Sequence, residues 1–256
     1  MIVAGIDVGG KNLHIAVKKN GQILGKAAGP TGIRKAEAVE QLFDEVLRKA
    51  GLTRKDVECV LATGSSAKRV AFANGSVSDA AADARGVHKW VPSARTIIDV
   101  GAEEGRAIKV SPEGKVLDLA INEKCAAGTG TFLEAMSRAL EVSMDEMSEI
   151  ALRSTQTLSM NAQCAVFGES EVVSLIHQKA SKPDIARAVM NAIAGRVASI
   201  ARIVGLEKDV VVVGGMAKNT GFVDSLKKAI DMNVTIPGDP DYMGALGAAE
   251  AALDEL

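Results

Sequence analysis

Two cysteines of this chain lie among small and polar residues, where a thiolate could bind a metal. Cys125 lies within Asn-Glu-Lys-Cys-Ala-Ala-Gly-Thr-Gly (122–130), and Cys164 lies within Met-Asn-Ala-Gln-Cys-Ala-Val-Phe (160–167). The apolar spacing from Phe132 to Leu140 predicts a helix, which would place Cys125 at a helix N-terminus. Backbone N–H groups and the helix dipole there favour a thiolate, which binds soft metals and iron–sulfur clusters.

The cysteine count limits what one chain could bind. The chain has 3 cysteines, and the third, Cys59, lies in an apolar run at 57–62 that predicts a buried strand. A 4Fe-4S cluster usually takes four thiolates, so Cys125 and Cys164 suffice if two chains each contribute two across an interface. Their separation matches no local zinc or ferredoxin signature. Spacing alone therefore leaves open that both are small buried hydrophobic residues.

Two aspartates at strand ends favour a nucleotide site. Asp7 ends a predicted strand in Gly-Ile-Asp-Val-Gly, Asp99 ends another in Ile-Asp-Val-Gly, and Gly214-Gly215 follow a buried run at 209–213. Glycine turns allow backbone N–H groups to approach phosphates, and carboxylates can hold magnesium-bound water. Each motif alone is typical of an ordinary turn. The order hairpin, hairpin and Gly-Gly turn favours the nucleotide interpretation.

The elements that must position these residues occur twice. A strand, its hairpin partner and a third strand precede helices in each half, and the two aspartates lie about ninety residues apart. This pattern predicts an internal duplication with a hinge near Pro92. The three histidines, His14, His88 and His177, have no carboxylate or cysteine at ligand spacing and are interpreted as surface or core residues.

Composition describes an ordinary globular protein. The 256 residues are 47% hydrophobic and 24% charged, with 30 basic and 32 acidic residues and a net charge of −2. Without a basic stretch interleaved with aromatics, nucleic acid is not expected as a partner. No leader and no membrane-length apolar run is recognised, so no membrane is expected and the cytoplasm is the predicted compartment.

The motifs together resemble a known family nearly from end to end. They are Gly5–Gly9, Ala62-Thr63-Gly64, Ile98–Gly101, Lys124–Gly130, Cys164 with Phe167-x-Glu169-Ser170-Glu171, and Val213–Asn219. The chain resembles the acetate and sugar kinase, heat-shock-70 and actin superfamily. Within it, the chain is similar to the ATPases shared by benzoyl-CoA reductase subunits and 2-hydroxyacyl-CoA dehydratase activators.

The resemblance implies an α/β fold, a duplicated ribonuclease-H-like fold with two half-domains around a nucleotide cleft. The expected division is 1–92, 93–242 with the cluster cysteines, and a C-terminal helix at 243–256 that packs back on the first half-domain. In this family two subunits each bind ATP and share one 4Fe-4S cluster at their interface. ATP hydrolysis then drives a low-potential electron into a partner enzyme.

The implied site residues fall into three groups. Asp7, Asp99 and Glu103 are the expected catalytic residues, acting through Mg²⁺ and the attacking water. Cys125 and Cys164 are the expected cluster ligands. The expected nucleotide-binding residues are Gly9, Gly10, Lys11, Asn12, Gly101, Ala102, Gly128, Gly130, Gly214, Gly215 and Met216.

The chain also departs from the family pattern. Gly10, Lys11 and His14 replace the usual Ser-Thr pair and following Lys of the first hairpin. Lys11 is interpreted either as a phosphate contact or as a solvated turn residue. Gly-Ala-Glu-Glu at 101–104 and the residues around Cys164 are more similar to the benzoyl-CoA reductase ATPase subunits.

The preferred interpretation is therefore an ATP-hydrolysing, electron-activating subunit of a benzoyl-CoA reductase. Expected partners are a second ATPase subunit, identical or paralogous, larger acyl-CoA-binding subunits, and an electron donor such as ferredoxin. The first alternative is an activator of a 2-hydroxyacyl-CoA dehydratase. Alternatives from other classes are a sugar or acetate-type kinase and a nucleotide sensor, neither with a cluster.

Overall fold

The computed structural model describes residues 1–122, 129–160 and 164–256. The strands are β1 (Ile2–Val8), β2 (Asn12–Lys19), β3 (Gln22–Pro30), β4 (Cys59–Thr63), β5 (Gly75–Ser76), β6 (Thr96–Val100), β7 (Gly105–Val110), β8 (Val116–Ile121), β9 (Val210–Val213) and β10 (Val234–Thr235). The α-helices are α1 (Lys35–Lys49), α2 (Asp79–Trp90), α3 (Gly130–Ala139), α4 (Met144–Ala151), α5 (Ala165–His177), α6 (Lys182–Ile203), α7 (Thr220–Ile230) and α8 (Met243–Asp254).

The described residues divide into two compact units. The first comprises Met1–Ile97, Val110–Leu117 and Pro237–Leu256, and the second comprises Ile98–Lys109 and Asp118–Ile236. The half-domain boundaries expected at residues 92 and 242 stay predictions.

The two sheets have the same strand order, which confirms the predicted duplication. One sheet runs β3-β2-β1-β4-β5, and the other runs β8-β7-β6-β9-β10. In each sheet the strand that ends in an aspartate is central, between its hairpin partner and the strand that precedes a glycine turn. Both aspartates are therefore placed at the end of a central strand.

The first three strands form two antiparallel hairpins, and Asn20-Gly21 is the turn of the second, between β2 and β3. β1 and β2 pair antiparallel with Asp7 opposite His14, and β4 runs parallel to β1. Asn20 and Gly21 have positive φ of 50° and 81°, the conformation that a tight Asn-Gly hairpin turn requires. Apolar side chains on one face of these strands pack against α1, in a core that contains Ile6, Val8, Leu13, Ile15, Val17, Val39, Phe43, Val46 and Leu47.

Helix α8 covers the other face of the first sheet through small residues. Ala249 and Ala252 pack with Val3, Cys59 and Leu61. Gly5 has no room for a side chain because the backbone of α8 lies directly against it. This close approach places Gly244, at the beginning of α8, beside Asp7.

The second unit has a large apolar core around α6. Helices α3, α4, α5 and α7 contribute to it with β6 and β9, and its largest buried members include Phe132, Met136, Met147, Met190 and Phe222. Helix α5 begins at Ala165, directly after its N-cap Cys164. In the part of the chain that the structure describes, no helix is long and apolar enough to cross a membrane.

Candidate nucleotide and cluster sites

The turn after Asp7 is closed by its own backbone. Gly9 N–H donates to Asn12 O at 3.0 Å, while the Thr31 hydroxyl donates to Gly9 O at 2.9 Å. Thr31 N–H donates to Lys11 O at 2.8 Å. Gly10 lies within this turn, and the side chains of Lys11 and Asn12 are exposed. The predicted residues of the first loop therefore lie together in a fixed turn.

A second glycine turn confines the Asp7 carboxylate. Gly64, directly after β4, has φ +91°, and a Cβ added there would lie 2.5 Å from Asp7 Oδ1. A Cβ on Gly244 would lie 2.8 Å from Asp7 Oδ2. Gly64 N–H donates to Asp79 Oδ1 at 2.6 Å, and the Thr63 hydroxyl donates to the same oxygen at 3.2 Å. Asp79, at the start of α2, thus anchors the turn that touches Asp7.

The second unit repeats this arrangement around Asp99. Gly101 N–H donates to Glu104 O at 2.9 Å, as Gly9 does to Asn12. Gly214, directly after β9, has φ +82°, and a Cβ there would overlap Asp99 Oδ1 and lie 2.5 Å from Val100 O. Each aspartate is therefore held between its own hairpin and a glycine with positive φ that follows the neighbouring strand.

The second loop is bonded to the first turn of α3. Gly130 N–H donates to Gly101 O at 3.0 Å, and Thr131 N–H donates to Ala102 O at 2.9 Å. The Thr131 hydroxyl also donates to Ala102 O, at 2.5 Å. Met216 Sδ lies 3.7 Å from the place where a Cβ of Gly130 would be. Five predicted nucleotide-binding residues of the second unit are thus brought together: Gly101, Ala102, Gly130, Gly214 and Met216.

Two further predicted residues lie at the rim of this loop. A Cβ on Gly215 would meet no atom within 4 Å, so its backbone faces open space. Glu103 is exposed at the tip of the turn between Ala102 and Glu104. Both positions are accessible to a ligand, and their roles stay predictions.

A basic side chain lies beside each aspartate, and the sequence interpretation missed both. Arg106 Nη1 lies 3.2 Å from Asp99 Oδ2, and its Nη2 lies 2.7 Å from Glu104 Oε2. His14 is the cross-strand partner of Asp7, and its Nε2 lies 3.3 Å from Asp241 Oδ2. His14 is therefore not isolated. Their positions in the sequence could have identified both residues, because each follows its aspartate by seven residues in the duplicated hairpins.

The two described cysteines differ in their surroundings. Cys59 is 4% exposed, and burial raises the pKa of its thiol, with a smaller contribution from Glu255. Cys164 is half-buried at the N-cap of α5, with φ −151° and ψ 144°. A thiol at a helix N-terminus has the chemistry of a metal-binding thiolate. The structure thus separates a protonated core thiol from a candidate ligand.

Two predicted site residues lie outside the described residues: the expected cluster ligand Cys125 and the expected nucleotide-binding residue Gly128. Residues 161–163, before Cys164, also lie outside them. Helix α3 begins at Gly130 with Thr129 as its N-cap, so the helix that follows Cys125 starts five residues after it. No three histidine, cysteine or acidic side chains are grouped as metal ligands within 1–122, 129–160 and 164–256.

Gly168 brings together the helices that follow the two candidate cysteines. A Cβ on Gly168 of α5 would lie 3.1 Å from Met136 Sδ and from Phe132 Cε2, both on α3. The N-terminal half of α5 is therefore in close contact with α3. On the outer side of α5, Val166 is 68% exposed and Phe167 is 71% exposed. An apolar surface thus follows directly after Cys164.

Comparison with known proteins identifies the family. The model of the BadF/BadG/BcrA/BcrD ATPase family matches residues 4–252. The chain is 36% identical to the activator of lactoyl-CoA dehydratase from Anaerotignum propionicum, over 97% of this chain and 96% of that protein. It is 33% identical to a subunit of benzoyl-CoA reductase from Thauera aromatica, over 82% of this chain and 76% of that protein.

Solved structures agree with this result. The activator of 2-hydroxyisocaproyl-CoA dehydratase from Clostridium difficile, with bound ADPNP, matches with a TM-score of 0.93 and 34% identity, over 100% of this chain and 95% of that one. A ROK family glucokinase from Streptomyces griseus, 14% identical, matches with a TM-score of 0.59 over 99% of this chain and 100% of that one, which shows the fold alone. These similarities confirm the predicted fold class.

Proposed function

The chain belongs to the BadF/BadG/BcrA/BcrD ATPase family, and from this premise we propose that it is an ATP-hydrolysing activator of a 2-hydroxyacyl-CoA dehydratase. It would deliver low-potential electrons to a larger partner enzyme. The proposal rests on a continuous series of contacts within the second unit, from the predicted nucleotide loop to the candidate cluster ligand. The loop at Gly101 and Ala102 is bonded to α3, and α3 packs through Gly168 against α5, which begins beside Cys164.

Hydrolysis of ATP would be promoted by positioning of the reacting groups and by stabilisation of the charge that develops on the phosphates. The N–H groups of Gly9 and Gly101 close their own turns, so the backbone N–H groups of Gly10, Lys11, Ala102 and Gly215 would face phosphate oxygens. The carboxylates of Asp7 and Asp99 fit Mg²⁺, which prefers oxygen ligands and retains water. Arg106 holds the Asp99 carboxylate in one orientation. Glu103, exposed at the loop tip, would orient the attacking water or accept its proton.

The cluster site would be completed by a second copy of this chain. Cys164 fits a cluster ligand because its thiol lies at a helix N-terminus and is half-buried. Cys125 and Cys164 of two copies would provide the four thiolates. The exposed Val166 and Phe167 next to Cys164 provide apolar surface for such an interface. When bound there, a 4Fe-4S cluster supplies one-electron transfer at low potential.

The similarities support the dehydratase activator over the benzoyl-CoA reductase component preferred on sequence motifs alone. The lactoyl-CoA dehydratase activator aligns with nearly its whole length, whereas the benzoyl-CoA reductase relative aligns over 76% of its own. The local likeness at 101–104 was therefore a weak discriminator. An electron donor such as ferredoxin and a reducing cytoplasm remain part of the proposal.

The test uses protein purified without oxygen. We expect a brown dimer with about four iron and four sulfide per two chains. With reduced ferredoxin and ATP, it should activate a 2-hydroxyacyl-CoA dehydratase component, measured as dehydration of its substrate. A colourless protein that phosphorylates a sugar or acetate would contradict the proposal. Electron transfer to benzoyl-CoA reductase components, with none to the dehydratase, would restore the first interpretation.

A further inference from the structure

A buried carboxylate holds the chain segment that leads to Cys164. Asp184, in the first turn of α6, is 3% exposed. Its Oδ1 accepts hydrogen bonds from the Ser154 hydroxyl at 2.9 Å, Thr155 N–H at 2.8 Å and Gln156 N–H at 2.9 Å. Its Oδ2 accepts from the Ser181 hydroxyl at 2.5 Å. Oδ1 therefore binds the 154–156 segment, whereas Oδ2 belongs to the N-cap of α6.

The bonds on Oδ1 exceed what capping of α6 requires. The Ser181 hydroxyl already accepts from Asp184 N–H at 3.3 Å, as in an ordinary N-cap. The bonds to Ser154, Thr155 and Gln156 instead reach residues about thirty positions earlier in the chain. Charge-assisted hydrogen bonds of this kind are stronger than neutral ones. Asp184 thus restrains a segment that has no helix or strand of its own.

After Gln156 the segment packs against the core of the second unit. It leaves α4 after Ala151, and Leu158 and Met160 are partly buried against the core of the second unit. Cys164 then becomes the N-cap of α5. In the chain, Cys164 therefore lies between α5, which begins directly after it, and a segment that Asp184 binds at Ser154–Gln156.

We propose that Asp184 is a positioning residue for the cluster ligand Cys164, acting through the 154–160 segment rather than by contact with the metal. This inference rests on the proposed cluster function. Loss of the carboxylate frees Ser154–Gln156, and the thiol then samples a wider range of positions. A cluster held by less well-positioned thiolates loses iron to a chelator more rapidly.

The experiment separates this role from simple stabilisation of α6. Asp184→Asn removes the negative charge that strengthens the bonds to both the 154–156 segment and Ser181. Ser154→Ala removes one hydrogen bond to the segment, and Ser181→Ala removes only the N-cap bonds of α6. For each variant we measure unfolding in urea, amide hydrogen exchange of 154–160, and bleaching of the anaerobic protein by an iron chelator. Asp184→Asn should bleach at least about fivefold faster and exchange faster at Thr155 and Gln156, by analogy with outer-shell mutations at metal sites.

The controls decide between the two roles. Ser181→Ala, even where it loses comparable stability, should retain nearly wild-type bleaching and exchange in 154–160. Equal bleaching in Ser181→Ala and Asp184→Asn, or wild-type bleaching in Asp184→Asn, would overturn the inference. If Asp184→Asn does not fold, Ser154→Ala carries the test, with about twofold faster bleaching expected and an unchanged rate as the contrary result. A wild-type protein without iron would instead remove the proposed function, while hydrogen exchange would still report whether Asp184 restrains the segment.

Discussion

At the scale of single residues, the two described cysteines lie in different surroundings, and a nitrogen-bearing side chain follows each aspartate across its hairpin. Cys59, the first residue of β4, is buried against α8, whereas Cys164 is half-buried at the beginning of α5. Arg106 and His14 occupy equivalent places beside Asp99 and Asp7. Single substitutions at these positions therefore have distinct expected effects.

Replacing Cys164 by Ser should abolish iron binding, because a hydroxyl does not replace a thiolate ligand. Cys125→Ser should have the same effect if two chains each contribute two ligands. Cys59→Ser is the control, since its thiol is buried and its pKa is raised by that burial; it should keep its iron. Iron and sulfide assays on anaerobic protein measure the outcome, and a full cluster in both Cys125→Ser and Cys164→Ser would refute the ligand assignment.

Replacing Asp99 by Asn should lower the ATPase kcat roughly a hundredfold, the size expected when one charge-positioning group is lost. The change also removes the anionic partner of Arg106. The iron content should stay at the wild-type value, because Asp99 and the thiolates act at different sites. Asp145→Asn, at an exposed position of α4, is the control. Near-normal turnover in Asp99→Asn would show that Asp99 has no part in hydrolysis.

At the scale of elements, the contact between α3 and α5 joins the segments that carry the candidate ligands. Gly168 permits this contact because it has no side chain between α5 and the Phe132 and Met136 side chains. The loop at Gly101–Ala102 is bonded to the first turn of the same α3. The separation of these two helices therefore affects both proposed sites.

Replacing Gly168 by Ala should move α5 by a few tenths of an ångström, because the new methyl group would meet Phe132 and Met136 at 3.1 Å. We expect faster bleaching of the cluster by a chelator, together with a loss of stability of about 1–3 kcal/mol from overpacking. Gly195→Ala on α6 is the matched control, since a Cβ there meets nothing within 4 Å. It should stabilise the protein by about 0.5–1 kcal/mol and leave bleaching unchanged. Equal bleaching rates in the two variants would exclude the Gly168 contact as a determinant of cluster retention.

For the whole molecule, stability at low pH should depend on Asp184. Hydrogen bonds from the Ser181 hydroxyl, then from Gln156 N–H, Thr155 N–H and the Ser154 hydroxyl, lower the pKa of this carboxyl from 3.8 to about 2. Because the folded pKa lies below the unfolded one, its contribution is fully present above about pH 4 and is lost as the pH falls towards 2. Urea unfolding of wild type and Asp184→Asn at a series of pH values measures this. The difference in unfolding free energy between them should shrink between pH 4 and pH 2, and a constant difference would contradict the assignment.

A second whole-molecule prediction concerns coupling between nucleotide and cluster. A ligand on the Gly101–Ala102 loop that shifts α3 must alter the cluster surroundings, and by linkage the redox state must alter nucleotide affinity by the same factor. Bleaching by a chelator should therefore differ between nucleotide-free protein, ADP and a non-hydrolysable ATP analogue. Thr131→Val removes the hydroxyl bond to Ala102 O and should reduce this difference at saturating nucleotide. Identical rates in all three states of the wild type would mean that the two sites are independent.

Local patterns in the sequence were sufficient for much of the fold. Alternation, the Asn20-Gly21 turn and the repeated Ile-Asp-Val-Gly motif predicted the strands and the duplication, because strand faces and tight turns depend on residues close together in the chain. They also placed Asp7 and Asp99 at strand ends. The motif around Cys164 predicted a candidate ligand.

Local sequence patterns could not predict contacts between residues that lie far apart in the chain. The turn at Gly64 closes over Asp7 and that at Gly214 over Asp99, because strands far apart in sequence are neighbours in each sheet. Asp184 likewise binds backbone groups about thirty residues away. Such pairings are set by sheet register and helix packing, which no single stretch of sequence specifies. The aspartates and cysteines could therefore be identified from the sequence as candidate site residues. The turns at Gly64 and Gly214 and the bonds of Asp184 were identified only from the tertiary structure.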